Sequence, residues 1–151
     1  MSAYLTRAQE GLFPNLNRSE YEKKSEATEE YNCFAWAANV NDKRWEPQSR
    51  WYWPPGCTQY GLTLPSAICA FGSQGFQECE SADFEDGYEK VAIYLKDGIQ
   101  ISHAARQKPN GHWTSKLGDW EDIEHHNLHA LEGFFYGQVA AILRRAVEEH
   151  H

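Results

Sequence analysis

From Glu89 to Gln107 the chain alternates apolar and polar residues on both sides of Lys96-Asp97-Gly98. A period of two marks a half-buried strand, and a Gly closing a three-residue loop takes the left-handed position that such a hairpin needs. An antiparallel hairpin therefore constrains the fold more than any other feature. With a loop at 96–98, Leu95 faces Ile99, Ile93 faces Ile101 and Val91 faces His103, so the apolar residues share one side. A two-residue Asp97-Gly98 loop would put Ile101 opposite Tyr94 and split that set, and burial favours the first register. Pro109-Asn110-Gly111 is a second turn, and 112–117 reads as a third strand with Trp113, Ser115 and Leu117 on one face.

Helical signals flank these strands. Ala35, Ala37 and Ala38 favour a short buried helix over 33–40, with Asn32 as its cap and Cys33 in its first turn. Thr63-Leu64-Pro65 reads as a second helix start, running through Ala70-Phe71 and stopping near Gly72 to Gly75. Residues 76–79 suit a short strand. Val139, Ile142, Leu143 and Val147 have helical spacing, which predicts an amphipathic helix over 136–147. The expected fold class is α+β: an N-terminal helix carrying Cys33 packed on an antiparallel sheet of at least three strands.

At 151 residues the chain suits a single domain over 1–151, with residues 1–30 as a polar, extended N-terminal arm anchored by Phe13. Hydrophobic content of 41% excludes a disordered chain, and no apolar run is long enough for a transmembrane helix. A net charge of -8 argues against nucleic acid or an anionic membrane as partner. The start of the chain has no basic and apolar leader pattern, so the expected location is cytoplasmic, with Cys33, Cys57, Cys69 and Cys79 reduced. The spacing of the last three fits no usual zinc pattern. Cofactors are expected to be none, and the oligomeric state is open.

The chemistry-bearing pair is Cys33 and His103. A thiol at a helix start meets the positive end of the helix dipole and free N–H groups, which favour the thiolate. His103 lies in line with Ile99, Ile101 and Ala105 on the face the Cys33 helix is available to cover. A third residue would orient the imidazole. Ser115 is the first choice, a four-residue loop at 108–111 would instead place Lys116 opposite His103, and Asp119 is a further candidate. Trp36, Trp53, Trp113 and Lys116 are the candidate substrate-binding residues, and Arg106 with Lys116 suits a substrate carboxylate or a cross-strand ion pair. His125, His126 and His129 read as solvated surface rather than a metal site.

Cysteine at a helix start, then strands, a strand histidine and a polar residue on the next strand resemble the papain-like superfamily in its small bacterial form, the NlpC/P60-type hydrolases. That resemblance is one of arrangement over roughly residues 30–120. A more specific resemblance is to a bacterial family of unknown function. It rests on Tyr31-Asn32-Cys33 with Ala35-Trp36-Ala37-Ala38, on His103-Ala104-Ala105-Arg106-Gln107, and on Trp113-Thr114-Ser115-Lys116-Leu117-Gly118. Phe-Ala-Trp after Cys33 departs from the Ser-Gly usual in NlpC/P60 hydrolases.

The function expected is a cysteine-dependent hydrolase or acyl transferase acting on an amide or ester of a small molecule or peptide. The alternatives are a non-catalytic binding module that uses the Trp-rich loop at 44–61, and an effector or partner in bacterial competition.

Overall fold

The computed structural model describes residues 4–25, 33–37, 45, 52–57, 62–117 and 121–147, and the side chains of Ser25, Ala35 and Trp36 lie outside the described part. Asp119 lies outside it too. The described elements run α1 (Arg7–Gly11), β1 (Tyr21–Ser25), α2 (Cys33–Ala37), α3 (Leu64–Gly72), β2 (Gln77–Cys79), β3 (Tyr88–Lys96), β4 (Gln100–Gln107), β5 (Trp113–Lys116), β6 (Asp122–His125) and β7 (Gln138–Ala146). Short 3-10 turns span Arg18–Glu20 and Leu128–Leu131.

All seven strands join one sheet in the order β1-β6-β5-β4-β3-β7-β2, every pairing antiparallel. This corrects the expected α+β, papain-like fold built on an N-terminal helix. The described part is largely β, and its helices are short, with α2 and α3 packed on the sheet.

Segment 136–147 is the largest correction. It forms β7, not a helix, and β7 lies beside β3. Its register shifts between Ile93↔Ala141 and Tyr94↔Val139, so Ala140 is an extra residue. A bulge of this kind turns the residues beyond it to the other face. Val139 and Ile142 therefore pack on one face of the sheet, and Ala141 and Leu143 on the other. Three-residue spacing on one face is what a bulged strand and a helix have in common.

The β3–β4 hairpin forms, but in another register. Asp97 and Gly98 take φ of +57° and +71°, and Ile99 N–H donates to Lys96 O at 3.1 Å. Ile99 falls in the turn and is 76% exposed. Leu95 pairs with Ile101, and then the register shifts so that Tyr94 pairs with His103 and Val91 with Arg106. The extra residue is Ser102, whose one hydroxyl proton lies within reach of the carbonyls of Tyr94 and Tyr136. His103 is thereby turned to the face of Ala92, Tyr94 and Ala105, away from Ile101.

Each face of the sheet carries its own core. On one, Val91, Ile93, Ile101, Ala104 and Leu143 pack with Cys33, Phe34 and Ala37 of α2, Ala67, Ala70 and Phe71 of α3, and Trp45 and Trp53. Thr63 caps α3, its hydroxyl accepting from Ser66 N–H at 3.3 Å, with Pro65 in the first turn. Cys57 and Cys69 form a disulfide that ties α3 to the Trp53–Pro54–Pro55 segment. That corrects the expectation of reduced thiols at these two positions and removes the cysteine ground for a reducing compartment. Cys33 and Cys79 remain thiols.

On the other face, Ala92, Tyr94, Ala105, Trp113, Ile123 and Tyr136 pack with Leu5, Phe13 and Tyr21 of the N-terminal segment. The segment is fastened by Glu10, which takes two hydrogen bonds from Arg18 at 2.8 and 2.9 Å and one from the Tyr21 hydroxyl at 2.6 Å. No described helix is long and apolar enough to cross a membrane.

Candidate functional site

Three buried polar side chains line up across the second face. His103 Nε2 lies 2.9 Å from Ser115 Oγ, and Ser115 Oγ lies 2.7 Å from His125 Nε2. His125 Nδ1 lies 2.9 Å from the carbonyl oxygen of Asn127. All three side chains are fully buried. The placement follows from the ladder. Ser115 of β5 sits opposite Ile123 of β6, and His125 of β6 opposite Trp113, so Ser115 and His125 share the face His103 enters through the Ser102 bulge.

The outer atom of this row is His103 Nδ1, which is buried and has no hydrogen-bond partner. Its ring is held from two sides. Tyr136 stacks on it at 4.1 Å between centroids and 10° between planes, and Tyr94 meets it edge-on at 5.3 Å. Tyr94 is fixed in turn by its hydroxyl, which donates to Leu128 O at 2.8 Å. Burial, and then the neighbouring His125, hold His103 well below the usual imidazole range. Burial also lowers His125, to about 4, against the opposing pull of the Asn127 carbonyl and the Glu124 carboxylate. Both rings are therefore neutral at pH 7.

Cys33 opens α2, which packs against β4 and β5, the strands carrying His103 and Ser115. Cys33, Phe34 and Ala37 join the core of the first face, whereas His103 packs against Tyr94 and Tyr136 of the second. Tyr136 stacks on His103, and burial first, then Cys33 and Tyr94, push its phenol well above 10. No hydrogen bond joins Cys33 to His103 Nδ1.

The remaining sequence candidates are scattered. Trp53 is buried, its indole N–H donating to Ser66 Oγ at 3.0 Å. Trp113 is buried in the second core. Lys116 is fully buried, in register with Asp122. Trp36 has no described side chain. Arg106 lines a surface cavity of about 470 Å3 with Phe84, Tyr88, Glu89, Pro109 and Val147, which contains none of Cys33, His103 or Ser115.

The sequence reading missed His125 by placing it on a solvated surface. The signal was Asp122-Ile123-Glu124-His125, a period of two that puts Ile123 and His125 on one face. Tyr136 was missed because its segment was read as helix. Among the described residues no group of His, Cys, Asp and Glu is arranged to hold a metal ion.

Residues 22–144 match a family model described as a domain of unknown function, DUF7689. No curated protein and no solved structure matches the chain.

Proposed function

The chain belongs to this DUF7689 family of unknown function, and from its site we propose a cysteine-dependent acyl-transfer enzyme that cleaves an amide or ester. One observation carries the reading. A fully buried imidazole is bonded at Nε2 and stacked, yet keeps Nδ1 without a hydrogen-bond partner. An unmade buried hydrogen bond costs about 1–3 kcal/mol, so ordinary cores avoid it and working sites retain it. Cys33, whose helix packs against the strands that carry His103 and Ser115, is the nucleophile such a base serves.

In the reaction, Cys33 Sγ forms a bond to the substrate carbonyl carbon as its proton passes to His103 Nδ1. The tetrahedral intermediate then expels the amine or alcohol, which takes that proton, and leaves a thioester on Cys33. Water, or a second acceptor, gives its proton to Nδ1 as it attacks the thioester. The acid or transferred acyl product leaves, and the proton returns to Sγ. The thiol–imidazole contact closes when substrate binds, since catalytic hydrogen bonds are commonly loose in a free enzyme.

The test is iodoacetamide labelling of Cys33 against pH, followed on its own peptide so that the Cys79 thiol is counted separately. Wild type is expected to label with an inflection below the ordinary thiol value of about 8.5. His103→Ala is expected to label at least tenfold more slowly at pH 7, on the order of the loss of a general base. A rate indifferent to His103 overturns the proposal.

A further inference from the structure

We infer that His125, through Ser115, acts as a positioning residue that fixes the tautomer of His103 and receives its excess proton. This rests on the thiol reading only for its consequence in catalysis; the proton arrangement stands on hydrogen-bond geometry between two neutral imidazoles.

The carbonyl of Asn127 fixes the far end of the row. A carbonyl oxygen can only accept, so the bond between Asn127 O and His125 Nδ1 requires a proton on Nδ1. A neutral imidazole carries one such proton, which leaves His125 Nε2 as an acceptor. The atom facing it at 2.7 Å is Ser115 Oγ, whose single proton must point there. Ser115 Oγ is then an acceptor toward His103 Nε2 at 2.9 Å, so His103 carries its proton on Nε2. One carbonyl, two imidazoles and one hydroxyl admit a single neutral arrangement. It leaves His103 Nδ1 as a bare lone pair, the form a general base requires.

The same row gives an outlet for charge. When Nδ1 accepts a proton, the Nε2 proton can move to Ser115 Oγ as the hydroxyl proton of Ser115 moves to His125 Nε2. The positive charge then rests on His125, bonded at both nitrogens, and His103 becomes neutral again. The return path runs in reverse through the same atoms. Charged and titratable groups acting on His125 are Glu124, which favours this cation, and His126 and His112, which oppose it.

The test is the 15N spectrum of His103 and His125 in the full chain at pH 7. Expected is a pyrrole-type Nε2 and a pyridine-type Nδ1 on His103, with the reverse assignment on His125. Ser115→Ala removes the hydroxyl, and His103 is expected to become a mixture of tautomers, with Cys33 alkylation slowed at least about tenfold. The wild-type spectrum decides the tautomer by itself if the variant does not fold. A protonated Nδ1 on His103, or an unprotonated Nδ1 on His125, overturns the inference. The expected tautomers with a Cys33 rate indifferent to His103 uphold the inference and remove the thiol-enzyme proposal instead.

Discussion

The phenol ring of Tyr136 lies flat on the imidazole of His103, centroids 4.1 Å apart. Aromatic stacking adds about 0.5–1.5 kcal/mol beyond area burial, and here it also fixes the plane in which Nδ1 points. Tyr136→Ala removes a buried ring and opens a cavity, so a loss of about 3–5 kcal/mol is expected from urea unfolding. Tyr136→Phe keeps the stack, and its loss is expected to stay below about 1.5 kcal/mol. Equal losses in both variants would show that the hydroxyl, and not the stacked ring, supports the site.

Gly137 comes directly after Tyr136 in a tight turn in which the backbones of Gly133 and Gly137 exchange hydrogen bonds at 3.0 and 2.7 Å. Its φ is +81°, and a Cβ there would stand 2.0 Å from the carbonyl oxygen of Leu95. No rotamer relieves a clash with backbone, so β7 would have to move away from β3. Gly137→Ala is expected to cost on the order of 3 kcal/mol or more. It should also release Tyr136, read as a change in near-ultraviolet circular dichroism. An unchanged midpoint and spectrum would contradict the close approach.

The two bulges explain what the sequence could and could not reveal. Strand alternation at Val91, Ile93 and Leu95 is uninterrupted, so β3 was legible. Both of its neighbours carry one extra residue beside Tyr94, Ser102 on one side and Ala140 on the other. Alternation breaks at each, and a period argument applied across the break assigns the wrong face, as it did for His103, or the wrong element, as it did for β7. Ser115 was reached by alternation along β5, which has no bulge. Its bond to His103 nevertheless depends on the Ser102 bulge, a local irregularity that propensity does not encode.

The Cys57–Cys69 disulfide closes a loop of 12-residue separation around the segment leading into α3. Constraining a loop near that size in the unfolded chain is worth about 3 kcal/mol. Reduction is expected to lower the urea midpoint by that equivalent, with the Cys57→Ser/Cys69→Ser pair matching the reduced protein. Trp53 packs in the core beside Cys57, so its fluorescence follows the same transition. A midpoint insensitive to reductant would mean that the bridge adds nothing to stability.

Acid should weaken the fold first through the buried histidines. His125 titrates at about 4 in the folded chain, against 6.5 for an unperturbed imidazole, and His103 is also lowered. Between those values the unfolded chain binds protons that the folded chain refuses, so stability rises with pH across the window and falls on acidification through it. Roughly two and a half pH units at about 1.4 kcal/mol each give on the order of 3 kcal/mol from His125 alone. Glu124 acts lower down. Burial would raise its carboxyl, but hydrogen bonds from Lys108, His112 and Asn110 outweigh that and hold it at about 2. Its contribution is complete above about 4.5 and is lost only as pH falls toward 2. Urea unfolding at pH 7, 5.5 and 4.5 should therefore show most of its decline before Glu124 is protonated, and His125→Gln should flatten that slope. A stability that stays constant from pH 7 to 4.5 in the native protein would mean that the two imidazoles are not held neutral, and the single proton arrangement along the row would fail with it.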